Sequence, residues 1–184
     1  MWRLGLAALL CALALGPAGA ADYDWGLPDW MPPPPVPADN PMSAAKVELG
    51  RRLFFDSRLS APNYLTCAHC HKPEQGFADS RPFSFGMSGQ RHPRNTPGLA
   101  NVGYLSPLGW VDPDVRDLES QVLVPLFNTS PVEMMASGMA GDIARRLEAD
   151  RAMRERFAAA FPETGGGSTS WRSSGRSPPI SGAS

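Results

Sequence analysis

One short stretch limits what this chain can fold around: Cys67, Ala68, His69, Cys70 and His71 form a C-x-x-C-H pattern. Two thiols about one helical turn apart can both bond to the vinyl groups of a single porphyrin, and the histidine that follows can supply an axial nitrogen to its iron. The pattern therefore predicts one covalently attached haem c, held by Cys67 and Cys70, with His71 as the proximal ligand. His69 is expected to be a spacer that points away from the iron.

Two other chemistries use closely spaced cysteines. A thioredoxin-like redox pair needs a βαβ context, which the sequence pattern does not provide. A zinc site needs a second pair of ligands, and His92 is the only histidine outside the C-x-x-C-H stretch. Haem attachment is the interpretation that the pattern favours.

Residues 1–20 have the three parts of a secretory signal peptide. Arg3 gives a positive start, residues 4–15 are apolar, and residues 18–20 are small, as at a cleavage site. The apolar run is too short to span a bilayer comfortably. We expect export to the periplasm, where bacterial c-type haem is attached, and no membrane span after cleavage.

Composition excludes some functions and bounds the fold. Lys and Arg number 17 against 18 Asp and Glu, so no nucleic-acid-binding field is implied. The 20 prolines and 18 glycines in 184 residues indicate a loop-rich domain with short helices. We predict an all-α, cytochrome c-like haem domain at residues 43–163, preceded by a Pro-rich linker at 21–42. Residues 164–184 are nearly free of apolar side chains and are expected to be a disordered or frameshifted tail.

Helix signals occur in three places. The first predicted helix covers residues 43–55, with Ser43 as its N-cap. The second covers residues 113–126 after the N-cap Asp112, and the third covers residues 143–161 after the N-cap Asp142. A further short helix is expected near the haem cysteines, and Gly50 within the first helix indicates a close approach by another group. The long segment 72–104 lacks periodicity and is expected to wrap around the haem. Its phenylalanines, Phe77, Phe83 and Phe85, pack either on the porphyrin or on helices.

Further motifs follow in a fixed order around the haem pattern. They are LGRRLFFD at residues 49–56, RNTPGLANV at 94–102, Trp110, QVLVPL at 121–126 and PVEM at 131–134. Together they resemble the N-terminal haem domain of the bacterial di-haem cytochrome c peroxidases, including the MauG branch. The resemblance covers about residues 44–163.

The resemblance implies roles for individual residues. Cys67, Cys70 and His71 would hold the peroxidatic haem. Gln121 and Glu133 match the polar residues above that haem.

Three more positions carry implied roles. Trp110 matches a tryptophan between two haems, and Asn95 matches a residue at a calcium site between two domains. Many members carry a histidine as resting sixth ligand where this chain has Met87. Either Met87 or the nearby, out-of-register His92 substitutes for it, or the ligand is absent.

The implied activity is reduction of hydrogen peroxide, with electrons from a small redox protein such as a cytochrome c or a cupredoxin. Peroxide cleavage needs a group that moves a proton from one oxygen to the other, and a carboxylate such as Glu133 can do so. Two alternatives stay open because the sequence contains one C-x-x-C-H pattern. The chain could be a mono-haem electron-transfer cytochrome, or an inactive truncated fragment without the second haem domain.

Overall fold

The computed structural model describes residues 23–108, 112 and 114–164. Helices and loops make up this part of the chain, with α1 at Ala44–Phe54, α2 at Leu118–Gln121, α3 at Leu123–Phe127, α4 at Ala140–Glu148 and α5 at Arg151–Ala160. Short 3-10 turns lie at Ser57–Leu59, Cys67–His69, Pro73–Gln75, Val102–Tyr104 and Pro162–Thr164. These residues contain no β-strand, only isolated bridges from Lys72 to Ala78 and from Phe85 to Arg91. The predicted all-α fold is confirmed, while the predicted signal peptide and most of the predicted tail lie outside the described residues.

Helix α1 forms as its sequence predicts. The Ser43 hydroxyl oxygen accepts a hydrogen bond from the Lys46 amide at 3.2 Å, which satisfies one free donor of the first turn. Gly50 is predicted to meet a helix or the porphyrin edge, and no helix makes this contact, because a Cβ added there would meet nothing within 4 Å among the described residues. Gly50 therefore leaves room that no packed neighbour uses.

The second predicted helix, residues 113–126, is shorter than expected. Helix α2 begins at Leu118, capped by Asp117, whose carboxylate accepts from the Ser120 amide at 2.7 Å. The carbonyl oxygen of Val115 accepts from the Leu108 amide at 2.9 Å, so a loop contact takes the place of a helical one. Pro125 has no N–H to offer the preceding turn, and the chain divides into α2 and α3 around Val122.

The third predicted helix, residues 143–161, is two helices. Helix α4 begins at Ala140, so Asp142 lies in its first turn and is not its cap. Asp150 ends the continuity because its carboxylate accepts from the amides of Ala152 and Met153 and caps α5. The apolar spacing continues across this break, which is why the pattern resembled one helix.

The core lies where α1, α4 and α5 meet. Helix α5 packs against both α1 and α4. The buried residues of the core are Leu49, Ala136, Ile143, Leu147, Met153, Phe157 and Ala160. Burying such side chains contributes about 1.5–3 kcal/mol each for the larger ones. Leu59, at the start of the loop that leads to the cysteines, packs against this core.

The loop before the cysteines is held by polar contacts. The fully buried Ser60 accepts from the amides of Tyr64 and Leu65, at 3.1 and 3.0 Å. From α4, the Arg146 guanidinium donates to the carbonyl oxygens of Arg58, Ser60 and Ala61 and to the side chain of Asn63. The entry to the haem pattern is thus tied to the helical core.

Part of the predicted linker contacts the domain. The Tyr104 hydroxyl donates to the carbonyl oxygen of Pro32 at 2.8 Å. A Cβ at Gly103 would lie 3.3 Å from the Pro34 side chain, so a larger residue would crowd this contact. Trp30 is 80% exposed, so the prolines rather than this aromatic make the contact.

Candidate haem site

The C-x-x-C-H stretch folds into a single tight turn. The amide of Cys70 donates to the carbonyl oxygen of Cys67 at 3.3 Å, and the amide of His71 donates to the same oxygen at 2.9 Å. Both thiols are free and half-buried. Burial raises the pKa of the Cys67 thiol and of the Cys70 thiol, and the Glu133 charge adds to both effects. The turn presents two neutral thiols and an imidazole within five residues.

The His71 ring is oriented by backbone oxygens. Its Nδ1 lies 2.9 Å from the carbonyl oxygen of Phe77 and 3.1 Å from that of Pro97. Carbonyl oxygens only accept hydrogen bonds, so Nδ1 is the donor, and in the neutral ring Nε2 keeps its lone pair. This tautomer is the one in which Nε2 can bind a metal.

One cavity of about 260 Å³ lies beside this turn, and most of its lining area is apolar. The two thiols, His71, Glu133 and His92 all line it. The rest of the lining comes from Leu59, Leu65, Thr66, Ser84, Phe85, Gly86, Pro93, Arg94, Asn95, Thr96, Pro97, Val122, Pro125, Leu126, Pro131 and Met134. Its wall therefore combines the end of the first loop, the long loop and the segment after α3.

A larger cleft of about 550 Å³ lies elsewhere, but its chemistry is different. Charged side chains dominate its lining, and it contains neither a cysteine nor a histidine. Size alone would select this cleft, whereas the ligand groups select the smaller cavity.

Glu133 is the only carboxylate that lines the cavity within the described residues. Its side chain is 36% exposed, and burial raises its pKa because the apolar wall disfavours the charged form. The nearby His92 and His71 act in the opposite direction, as positive charges would. A carboxyl group in this setting exchanges a proton more readily near neutral pH than an ordinary glutamate does.

The backbone of Glu133 is fixed by the long loop. Its carbonyl oxygen accepts from the Met87 amide at 2.8 Å, and a Cβ at Gly86 would lie only 1.8 Å from the carbonyl oxygen of Val132. Only glycine permits the two segments to approach this closely. The amides of Met134 and Ala136 are also bound, to Pro125 and Leu126 of α3.

The sequence profile of the family described as di-haem cytochrome c peroxidase matches residues 44–175. The chain belongs to this family. It is 43% identical over 120 residues to the cytochrome-c peroxidase IdrP1 of Denitromonas iodatirespirans, covering 65% of this chain and 31% of that protein. It is 35% identical to the methylamine utilization protein MauG of Methylophilus methylotrophus, covering 69% of this chain and 36% of that one.

A solved structure supports the same fold. The crystal structure of a MauG-like protein associated with microbial copper homeostasis superposes with a TM-score of 0.73 and 48% identity, covering 76% of this chain and 40% of that one. The chain spans about a third of the length of the curated relatives that it matches. None of the helices in the described residues is long and apolar enough to cross a bilayer.

The residues present fit the haem that the family name implies. Two unpaired thiols flank the cavity, and the His71 tautomer leaves a nitrogen available for iron. The described residues contain no group of three or more His, Cys, Asp or Glu placed to hold a bare metal ion. Two thiols followed by a histidine suit an iron carried by a porphyrin.

The other predicted site residues are placed differently from one another. Gln121 is half-buried at the end of α2 and does not line the cavity, although its neighbour Val122 does. Asn95 lines the cavity but is exposed, and its amide donates to the Thr96 carbonyl oxygen at 3.4 Å. Met87 contacts the Glu133 segment through its backbone and is not part of the cavity wall. Trp110 lies outside the described residues.

Of the phenylalanines of the long loop, one packs on a helix, one lines the cavity and one does neither. Phe77 packs edge-to-face against Phe54 of α1, with ring centroids 5.9 Å apart. Phe83 lies under the Arg91 guanidinium, whereas Phe85 lies under Arg81 and also lines the cavity. Only Phe85 is placed to contact a bound porphyrin.

Two residues of the site have more importance than the sequence indicated. His92 is buried beside Glu133, and Gly86 allows the contact that fixes the Glu133 backbone. His92 directly precedes the PRNTP stretch, and the sequence indicates it only as a possible sixth ligand, not as a neighbour of Glu133. Gly86 is one of many glycines in the loop, and nothing local distinguishes it.

Proposed function

We propose that this chain is the peroxide-reacting haem domain of a periplasmic peroxidase. The observation that carries the proposal is the shared cavity, which brings Cys67, Cys70, His71 and Glu133 to one apolar wall. A haem tether and an acid–base residue in one cavity suit peroxide chemistry better than simple electron storage.

Haem would be held by the first three of these residues. Each thiol would add its S–H across one vinyl group, which would form a thioether without a change in electron count. His71 would supply Nε2 to the iron, because its Nδ1–H is committed to the carbonyl oxygens of Phe77 and Pro97. When bound, haem supplies the redox centre at which peroxide is reduced.

Glu133 would move the proton. In the overall reaction, hydrogen peroxide takes up two electrons and two protons, its O–O bond breaks and two waters leave. A carboxylate accepts a proton from one peroxide oxygen and returns it to the other, which becomes the leaving water.

The remaining assignments belong to the same proposal. The electrons come from a small donor such as a cytochrome c or a cupredoxin, and residues 1–20 direct export. Trp110 lies on the electron path, and Asn95 contributes to a calcium site. The role that the resemblance implies for Gln121 is left out, because Gln121 does not line the cavity. The family resemblance supports these roles, and one covalent haem is assigned to this chain.

The test is expression with export and cytochrome c maturation, followed by a haem stain on a denaturing gel. Wild type should show a covalent haem band, and the Cys67→Ala/Cys70→Ala double variant should show none. The purified protein should then change its absorption when mixed with peroxide. A haem-loaded protein that is inert to peroxide would contradict the peroxidase proposal and favour an electron-transfer cytochrome.

A further inference from the structure

His92 is a buried histidine that the proposed mechanism does not use. It is 9% exposed and lines the same cavity as His71 and Glu133. Its Nδ1 lies 3.9 Å from the Oε1 of Glu133. Its Nε2 is buried and has no hydrogen-bond partner among the described residues.

Buried polar atoms are nearly always hydrogen-bonded, so an imidazole with one uncommitted nitrogen is unusual in a purely structural position. A structural histidine would be expected to use both nitrogens on neighbouring protein groups. Here one nitrogen faces a carboxylate and the other has no protein partner in the described part of the chain. The arrangement matches a side chain that binds a molecule entering the cavity.

The backbone holds His92 and Glu133 in register. The His92 amide donates to the carbonyl oxygen of Ser84 at 2.9 Å, and the Ser84 amide donates to that of Arg94 at 2.9 Å. The Ser84 and Thr96 hydroxyls share a buried hydrogen bond of 2.8 Å. The same loop also contacts the segment that contains Glu133, because the Oε1 of Gln90 accepts a hydrogen bond from the Val132 amide at 3.3 Å.

We propose that His92 is a further catalytic residue, which hydrogen-bonds the small molecule in the cavity through Nε2 while Glu133 orients its ring through Nδ1. An ionised Glu133 accepts a hydrogen bond from Nδ1–H, which leaves Nε2 as the proton acceptor. Moving the pair from 3.9 Å to hydrogen-bond distance needs a shift of about 1 Å. The inference rests on the proposed function, because it assumes haem in this cavity.

Hydrogen cyanide is a suitable probe. It enters as a neutral acid and binds ferric haem as the anion, so its H–C bond breaks and the proton must go to a base. The proposal sends that proton to His92 Nε2. The resulting N–H can then donate a hydrogen bond to the bound anion.

The experiment compares haem-loaded wild type with His92→Phe, His92→Gln and the control His69→Gln. The control changes an exposed histidine that does not line the cavity. His92→Phe should slow cyanide association by about 100-fold, as for a lost general base. It should also weaken cyanide affinity by roughly tenfold, as for one lost hydrogen bond.

His92→Gln gives the sharper outcome. Glutamine can donate a hydrogen bond but cannot accept the proton, so affinity should stay within about threefold of wild type while association remains slow. A packing role would not divide rate from affinity in this way. If His92→Phe fails to load haem, this division in His92→Gln decides alone.

Three results would overturn the proposal. One is cyanide binding in both His92 variants at the rate and affinity of His69→Gln. Another is a fall of rate and affinity together in His92→Gln. The third is a change from a low-spin to a high-spin spectrum in His92→Gln, which would make His92 an iron ligand. Absence of covalent haem in wild type would instead reject the proposed function.

Discussion

His71 and Phe77 are joined by a hydrogen bond of 2.9 Å from the imidazole Nδ1–H to the backbone carbonyl oxygen. Phe77 has a φ of +58°, a left-handed conformation that bulky residues rarely adopt. Its amide in turn donates to the Lys72 carbonyl oxygen at 2.8 Å. The short loop that follows the C-x-x-C-H pattern thus folds back on His71 and makes Nδ1 the hydrogen-bond donor of its ring.

Replacing His71 should separate tethering from ligation. In His71→Gly we expect haem to stay attached through the cysteines but to lose its axial nitrogen, with a changed absorption spectrum. Added imidazole should restore much of the wild-type spectrum. His69→Gly is the matched control and should keep the wild-type absorption spectrum. An unchanged spectrum in His71→Gly would mean that another residue is the proximal ligand.

The two glycines Gly86 and Gly50 should respond in opposite directions to alanine. Gly86→Ala should lower the free energy of unfolding by at least about 1–3 kcal/mol, because its Cβ would overlap the Val132 carbonyl oxygen. Gly50→Ala should raise it by about 0.5–1 kcal/mol, since the helical site is open. Denaturant unfolding of both variants is the measurement. Equal effects would refute the close contact.

Adjacent arginines of α4 should differ as strongly. Arg146→Ala removes a guanidinium bound to four oxygens of the loop before the cysteines, and we expect a loss of roughly 2 kcal/mol or more. Arg145→Ala removes an exposed ion pair with Asp142, which should change stability by less than about 1 kcal/mol. The measurement is the melting temperature of both variants. Equal decreases in the two variants would contradict the anchoring role of Arg146.

The raised pKa of Glu133 predicts a dependence of stability on pH. Below the ordinary pKa of 4.5, the Glu133 carboxyl is protonated in both the folded and the unfolded state, so its ionisation does not change the free energy of unfolding. As pH rises through the window between this value and the raised folded value, the unfolded state ionises first and the folded state loses stability. Glu133→Gln should therefore melt higher than wild type at pH 7, by more than it does at pH 4.

Glu74→Gln is the control for that experiment, because Glu74 is exposed and lies away from the cavity. Its difference in melting temperature from wild type should be the same at pH 4 and pH 7. If the melting temperatures of Glu133→Gln and wild type differ by the same amount at pH 4 and pH 7, the Glu133 carboxyl is not desolvated.

Helix α1 and the haem turn could be predicted from sequence because their signals are local. A capping serine with an apolar face determines α1, and the chemistry of C-x-x-C-H needs only five consecutive residues. The division at Asp150 was missed because the apolar spacing runs through it, while the competing cap depends on one carboxylate. Local capping overrode periodicity there.

The cavity wall could be predicted only in part. Glu133 is predicted at the cavity because it belongs to a motif, whereas its contact with His92 depends on how two distant loops meet. That meeting requires Gly86, and nothing local to a glycine indicates which backbone will approach it. Gln121 was placed at the site by resemblance, although the turn at Val122 directs the neighbouring residue to the cavity wall.

The most direct test of the peroxidase account is rapid mixing of haem-loaded protein with hydrogen peroxide, followed by absorption in the Soret region. Wild type and Glu74→Gln should react at the same rate. Glu133→Gln should react about 100-fold more slowly, because the amide cannot carry a proton between the two oxygens. If Glu133→Gln reacts as fast as wild type, Glu133 is not the acid–base residue and the proposed mechanism is wrong.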